Sequence, residues 1–319
     1  MNREPRDSFH LAIAKRRQIF DDHGVSTDAL RLIHGAGDGF PGITVDALGG
    51  VLLVETHAEE ADPQPVIELA RDHFGTEKPI FLKERWCQDD SRRDGTQISG
   101  PETSPDLVVR ERGLSFALSL TSSEHIGLFL DTRPARQRIR AIAADARLLN
   151  LFSYTGGFGV AAEAGGARST TNVDNKRSAL AQAKINYDLN NLRHNTRTFL
   201  LSDAFKYLSR AARGNAEYDV VVLDPPPKSK RPGKGVFHVK TGYRSLLAKA
   251  LKVLAPRGTL LAGLNYTGID GDMFQHIVRS GLEQSGKQLK SLELVGPGRD
   301  FPYSPERPSA RFVLVSMDN

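Results

Sequence analysis

The chain has 319 residues, 39% hydrophobic and 25% charged, which is the composition of a globular protein with length enough for two domains, and it excludes a disordered tail. No apolar run approaches the roughly 18 residues of a membrane span, the charged N-terminus predicts no secretory signal, and a lone cysteine, Cys87, excludes an internal disulfide or a multi-cysteine metal site, so the cytosol is the expected compartment. A net charge of +5, from 43 basic and 38 acidic residues, fits a nucleic-acid partner without requiring one, and the nine scattered histidines, with no HExxH pattern, predict no metal.

Residues 1–110 read as short strands and turns with one or two helices, a small α+β domain. Residues 31–56 place glycines between short apolar runs, which predicts a meander, and the polar stretch 88–106 predicts an exposed loop. From about residue 111 to 319 strands and helices alternate. Strands are expected at 147–152, 169–174, 196–203, 218–226 and 258–265, with helices after each. The continuous Val/Leu run of YDVVVLDPP suits a strand covered on both faces, and Leu246, Leu247, Ala250, Leu251 and Leu254 give 239–254 a helical period. This alternation implies an open, doubly wound α/β domain with a parallel sheet. The last two strands, 289–295 and 310–317, are joined by the Pro/Gly-rich GPGRDFPYSPERPS with no helical period, so the last strand is expected to be antiparallel.

Four motifs fall on successive strand ends. Asn150–Gly159 (NLFSYTGGFG) leaves a strand and opens a helix, where glycines let backbone approach a ligand and the first N–H groups are unpaired. It is neither GxGxxG nor a Walker loop. Asp174 ends the next strand, 17 residues after Gly157, near the spacing at which a carboxylate meets a ribose diol; it equally fits a helix N-cap. Asp203 ends the third strand, where its carboxylate and the Ala204 N–H suit an adenine edge, or again a cap. Asp224-Pro225-Pro226-Pro227 makes a rigid exit that holds an aspartate at the mouth of the sheet.

In this order the motifs resemble those of class I S-adenosylmethionine-dependent methyltransferases, closest to the bacterial large-subunit rRNA enzymes acting on cytosine C5 or guanine N7. GLFLDTR (127–133) resembles that group's G-x-F-L-D-x-R element, residues 35–55 resemble its small preceding domain, and the likeness spans about residues 30–317. It implies a Rossmann-like seven-stranded sheet with S-adenosylmethionine as cofactor and RNA, ribosomal in this group, as acceptor. Ser153, Tyr154, Thr155, Gly156 and Gly157 would wrap the methionine part, Asp174 the ribose, and Asp203 with Ala204 the adenine. Asp131 and Arg133 would lie on the cofactor or substrate side of the same cleft, and Asp224 with Pro225 would face the methyl group and its acceptor.

The group's N-terminal RNA-binding module is not expected in this sequence, which begins too late to hold one. Cytosine C5 chemistry needs a thiolate that adds to C6, and its members carry that cysteine where this chain reads Leu264-Asn-Tyr-Thr-Gly268. Cys87, beside Trp86 in the first domain, reads as structural. Transfer to a nitrogen is therefore expected, where positioning suffices. The segment 225–240 carries Lys228, Lys230, Arg231, Lys234 and Lys240 without an acid, so it tracks an RNA backbone, closes over the acceptor, or is a solvated loop. Tyr154, Phe158 and Tyr266 stack a flipped base or belong to the core. The rival readings are a methyltransferase with a protein or small-molecule acceptor and a non-catalytic RNA-binding factor of the same fold.

Overall fold

The computed structural model describes residues 4–23, 26–122, 125–231, 233, 235–266, 268–304 and 309–318. The chain divides into two compact units, one of Met1–Asp131 with Gly298–Pro308 and one of Thr132–Pro297 with Ser309–Asn319. No helix among the described residues is long and apolar enough to cross a membrane.

The first unit runs α1 (Pro5–His23), β1 (Ala29–His34), β2 (Ile43–Leu48), β3 (Val51–Thr56), α2 (Gln64–Phe74), β4 (Ile80–Glu84), α3 (Asp90–Arg93), β5 (Thr96–Ser99), β6 (Asp106–Glu111) and β7 (Leu114–Ser119). Strands β1 to β5 form one sheet in chain order, antiparallel except for β3–β4, which α2 connects. The core packs Phe9 and Ile13 of α1 and Val66, Ile67 and Ala70 of α2 against Leu32, Val45, Leu52 and Val54. Buried ion pairs lie in this unit: Arg16 grips Asp38 at 2.9 and 2.6 Å, and Arg31 grips Asp46 at 2.5 and 3.0 Å. The meander expected at 31–56 is β1–β3. The stretch 88–106, expected as a loop, contains α3, which Asp89 caps by accepting the Ser91 N–H at 2.9 Å, and the edge strand β5. An edge strand has one neighbour and can be polar, so Thr96, Gln97 and Ser99 show no apolar period.

The second unit runs α4 (Arg133–Ile142), β8 (Arg147–Leu151), α5 (Gly157–Ala164), β9 (Ser169–Asp174), α6 (Arg177–Leu189), β10 (Phe199–Leu201), α7 (Ala204–Arg213), β11 (Tyr218–Leu223), β12 (Lys228–Arg231), β13 (Gly235–His238), α8 (Val239–Leu251), β14 (Leu254–Leu264), α9 (Gly271–Gln284), β15 (Leu289–Val295) and β16 (Arg311–Met317). Its seven-stranded sheet has the order β10-β9-β8-β11-β14-β16-β15. The first five strands of this order, β10-β9-β8-β11-β14, are parallel, and β16 pairs antiparallel with both β14 and β15, as the missing crossover helix requires. The run in β11 is covered on both faces: Val221 and Leu223 enter one core cluster, and Val220 and Val222 the other.

After β8 the chain moves outward through β9 and β10, then returns to place β11 on the other side of β8. The order thus reverses between β8 and β11, and open α/β sheets bind ligands at the carboxyl ends flanking such a reversal. The basic segment 225–240, expected as an RNA-tracking or acceptor-closing element or as a solvated loop, contains the hairpin β12–β13 in the register Lys228↔His238 to Arg231↔Gly235. Its one buried strand residue, Phe237, is too little apolar alternation to announce a hairpin.

Candidate active site

The loop from β8 to α5 is bent by three residues in the left-handed region, Phe152 (φ 58°), Tyr154 (φ 48°) and Gly156 (φ 77°). For the two aromatic residues this costs on the order of 1–3 kcal/mol each, so the surroundings must enforce it. Ser153 N donates to Val173 O at 3.1 Å, Tyr154 N to Asp174 Oδ2 at 2.8 Å, and Asn186 Nδ2 to Thr155 O at 2.9 Å. At Gly156 a Cβ would stand 2.9 Å from Ala183 Cβ, so the position is closed to a side chain by both space and conformation. Ser153 Oγ is buried without a hydrogen-bond partner among the described residues. Helix α5 starts at Gly157 with no side-chain cap, so its first N–H groups are available to an acceptor.

Asp174 closes β9. Its Oδ2 accepts the Tyr154 N–H and its Oδ1 accepts the Lys176 N–H at 2.9 Å, leaving acceptor capacity on both oxygens. Asp203 follows β10 and caps α7, accepting the Lys206 N–H at 2.9 Å; Ala204 beside it is buried. The Asp203 carboxylate is also gripped by Arg231, Nε to Oδ2 at 3.2 Å and Nη2 to Oδ1 at 3.4 Å.

Asp224 follows β11, half-exposed, with Pro225 buried after it. Its carboxylate lies against Gly263 of β14, where a Cβ would stand 2.6 Å from Asp224 Oδ1. Burial pushes the Tyr243 phenol of α8 well above its ordinary range, with the Asp224 charge adding to the effect. Tyr266 is half-buried against one of the two core clusters, and Phe158 belongs to the other, edge-on to Phe312. Lys228 and Lys230 are exposed on β12, and Lys230 O accepts from Asn175 Nδ2 at 3.3 Å.

The structure thus gathers Ser153–Gly157, Asp174, Asp203–Ala204 and Asp224–Pro225 along the carboxyl edges of β8, β9, β10 and β11. Arg133 is buried at the first position of α4 in the same unit. Asp131 lies in the first unit, in the single turn Leu130–Thr132, where its charge adds to that of Asp46 in raising the Arg31 guanidinium against the cost of burial. Lys234 lies outside the described residues. Sequence reading missed Gly263, although a glycine inside an apolar strand signals a close approach, and it missed the Arg231–Asp203 pair, which no local pattern encodes. No group of three or more His, Cys, Asp or Glu suited to a metal occurs among the described residues.

Such an edge can hold a ligand with hydroxyl and amine donors at one end and an acceptor group at the α5 N-terminus. Residues 30–307 match the family model of S-adenosylmethionine-dependent methyltransferases. The ribosomal RNA large subunit methyltransferase I of Cronobacter sakazakii is 32% identical over 329 aligned positions, covering 97% of this chain and 81% of that protein. A ribosomal RNA large subunit methyltransferase of Deinococcus radiodurans is 31% identical, covering 88% and 71%. Among solved structures, a protein described as a methyltransferase and crystallised with SAH superposes at a TM-score of 0.85, with 25% identity over 98% of this chain and 80% of that one.

Proposed function

The chain belongs to the family of S-adenosylmethionine-dependent methyltransferases, and we propose that its acceptor is RNA of the large ribosomal subunit, methylated in the cytoplasm at a nitrogen rather than at cytosine C5. The observation that carries the reading is the alignment of four motifs on the carboxyl edge at the point where strand order reverses. The names of the relatives support RNA as acceptor, and the exposed lysines of β12, which follows Asp224 in the chain, support a polyanion. Nitrogen is favoured because Leu264–Gly268 has no cysteine, and Cys87, the sole one, sits in the first unit.

The donor set suits the cofactor. The uncapped α5 N-terminus, the orphaned Ser153 hydroxyl and the folded loop Tyr154–Gly157 suit the carboxylate and amine of a methionine part. Asp174 has the spare acceptor capacity a ribose diol requires, Asp203 with the Ala204 N–H suits the adenine edge, and buried Arg133 is assigned to the cofactor side. When bound, the cofactor supplies an electrophilic sulfonium methyl group. The protein's own contribution is placement: Pro225 fixes the exit from β11, and Gly263 leaves room for Asp224 to orient the acceptor nitrogen and take its proton where there is one. Lys228, Lys230 and Tyr266 are assigned to the RNA.

Transfer of labelled methyl from S-adenosylmethionine to ribosomal RNA of cells lacking the gene tests this. Nuclease-sensitive label in an N-methylated nucleoside is expected. Label in 5-methylcytosine would overturn the nitrogen assignment, and label confined to protein or small molecules would overturn RNA as acceptor.

A further inference from the structure

Arg231, assigned by its charge to an RNA phosphate, does not point away from the sheet edge. Its guanidinium grips Asp203 through Nε and Nη2 at 3.2 and 3.4 Å and lies over the Phe205 ring, Cζ 3.9 Å from the centroid. A planar group that donates N–H bonds to Asp203 while stacking on the aromatic residue two positions later has the chemistry of an aminopurine edge. The guanidinium and an adenine ring are both flat, both present N–H donors in plane, and both favour an aromatic face.

The rest of the hairpin is fastened to the same edge. Asn175, just beyond β9, donates to Lys230 O at 3.3 Å. Phe237 is buried, stacked near Phe152 of the β8 loop at 6.4 Å between centroids and against Phe205 at 5.4 Å. Its root is held by Val239 N donating to Pro227 O at 3.0 Å. The hairpin therefore reaches the loops after β8, β9 and β10. Its Phe237 contact is apolar and buried, whereas its Arg231 contact is polar and partly exposed, the easier of the two to open.

We propose that Arg231 occupies the adenine subsite as an internal stand-in for the ring, so that cofactor and hairpin compete for Asp203 and Phe205. Cofactor entry displaces Arg231, opens the outer half of the hairpin and presents Lys228, Lys230 and Arg231 to an RNA backbone. Cofactor thus binds first, and by linkage the bound cofactor raises RNA affinity. This rests on the assignment of Asp203 to adenine made above.

Calorimetric titration with SAH tests it, with melting curves as the fold control. Arg231→Ala removes the competitor, so SAH is expected to bind about three- to tenfold tighter than to the wild type. In that background Asp203→Ser, which keeps a capping oxygen, is expected to weaken SAH at least about tenfold. Trypsin should cut after Lys228 and Lys230 faster when SAH is present. Weaker SAH binding by Arg231→Ala, or protection of the hairpin by SAH, overturns the proposal in favour of a clamp that closes over the cofactor. Unchanged affinity in Arg231→Ala with a loss in Asp203→Ser overturns it while the adenine assignment stands. No effect of Asp203→Ser removes both.

Discussion

Gly263 sits at the carboxyl end of β14 with Leu260, Leu261, Ala262 and Leu264 beside it, all fully buried. A glycine there forfeits packing, and its reason is the Asp224 carboxylate, since an added Cβ would meet Asp224 Oδ1 and Phe312 Cε1 each at 2.6 Å. Gly263→Ala is expected to displace Asp224 and lower kcat at least about tenfold while the Kd for SAH moves by no more than about twofold. Steady-state kinetics beside calorimetry read the two separately, and an unchanged kcat would show that Asp224 has no positioning part in transfer. Lys83 gives a second test at this scale. Its ammonium is buried in the first unit, donating to Leu120 O at 3.0 Å and Ser122 O at 2.5 Å. Burial pushes it down to about 8 from the ordinary 10.5, against the pull of Glu55. Between those values the unfolded chain binds more protons than the folded one, so this group makes stability rise with pH across that window. The gain is about 3 kcal/mol at full size, and it is absent below the lower value, where both states are protonated. Urea midpoints from pH 7 to 10 should therefore climb more steeply in the wild type than in Lys83→Met; parallel curves would place the titration elsewhere.

Elements buried on both faces were the most legible, because a run such as Val220–Leu223 has no other soluble use. The antiparallel end of the sheet was legible from a connection too short and too rich in proline for a crossover. The hairpin β12–β13 and the edge strand β5 were not, because their pairing is carried by backbone and by single distant contacts such as Arg231 on Asp203. The acids at the strand ends were visible as candidates, yet their double duty was not: Asp174 binds its neighbouring loop and Asp203 caps a helix while facing Arg231. Helix α5 shows how an element is fitted to its sheet. Asn150 Nδ2 donates to Asn172 Oδ1 at 2.9 Å, Asn172 Nδ2 to Tyr187 OH at 3.0 Å, and Tyr187 OH meets Thr170 Oγ1 at 2.8 Å. Only Gly159 can pass this buried network, since a Cβ there would overlap Asn172 Oδ1 and stand 2.5 Å from Tyr187 OH. Gly159→Ala is expected to cost about 2–4 kcal/mol by urea denaturation and to shift the α5 N-terminus with it. A loss under about 1 kcal/mol would mean that α5 can move away without breaking the network.

At the scale of the whole chain, the distinctive feature is that Gly298–Pro308 leaves the strands of the second unit and belongs to the first. Its composition marked it as irregular, but its anchors lie 269 and 284 residues earlier, beyond any local pattern. Asp300 is fully buried; its Oδ2 accepts the Arg31 N–H at 3.1 Å, and its carbonyl accepts from Arg16 Nη2 at 3.0 Å. Phe301 adds an edge-on contact to His34 and lies under the Arg31 guanidinium, 5.0 Å from the ring centroid. Both arginines already hold their own buried carboxylates, so the segment completes an ionic cluster that the first unit's N-terminal elements leave with donors to spare. Asp300→Ala leaves the Arg31 N–H buried without its carboxylate and takes one anion from that cluster, which is expected to cost about 2–4 kcal/mol. The sole tryptophan, Trp86, lies in the first unit and reports on it directly. Its fluorescence transition in urea should therefore move to lower denaturant in Asp300→Ala, ahead of the far-ultraviolet dichroism transition to which the larger second unit contributes most. Coincident transitions displaced together would mean that the returning segment makes the two units unfold as one. A fluorescence midpoint unmoved from the wild type would deny Asp300 any part in holding the first unit together.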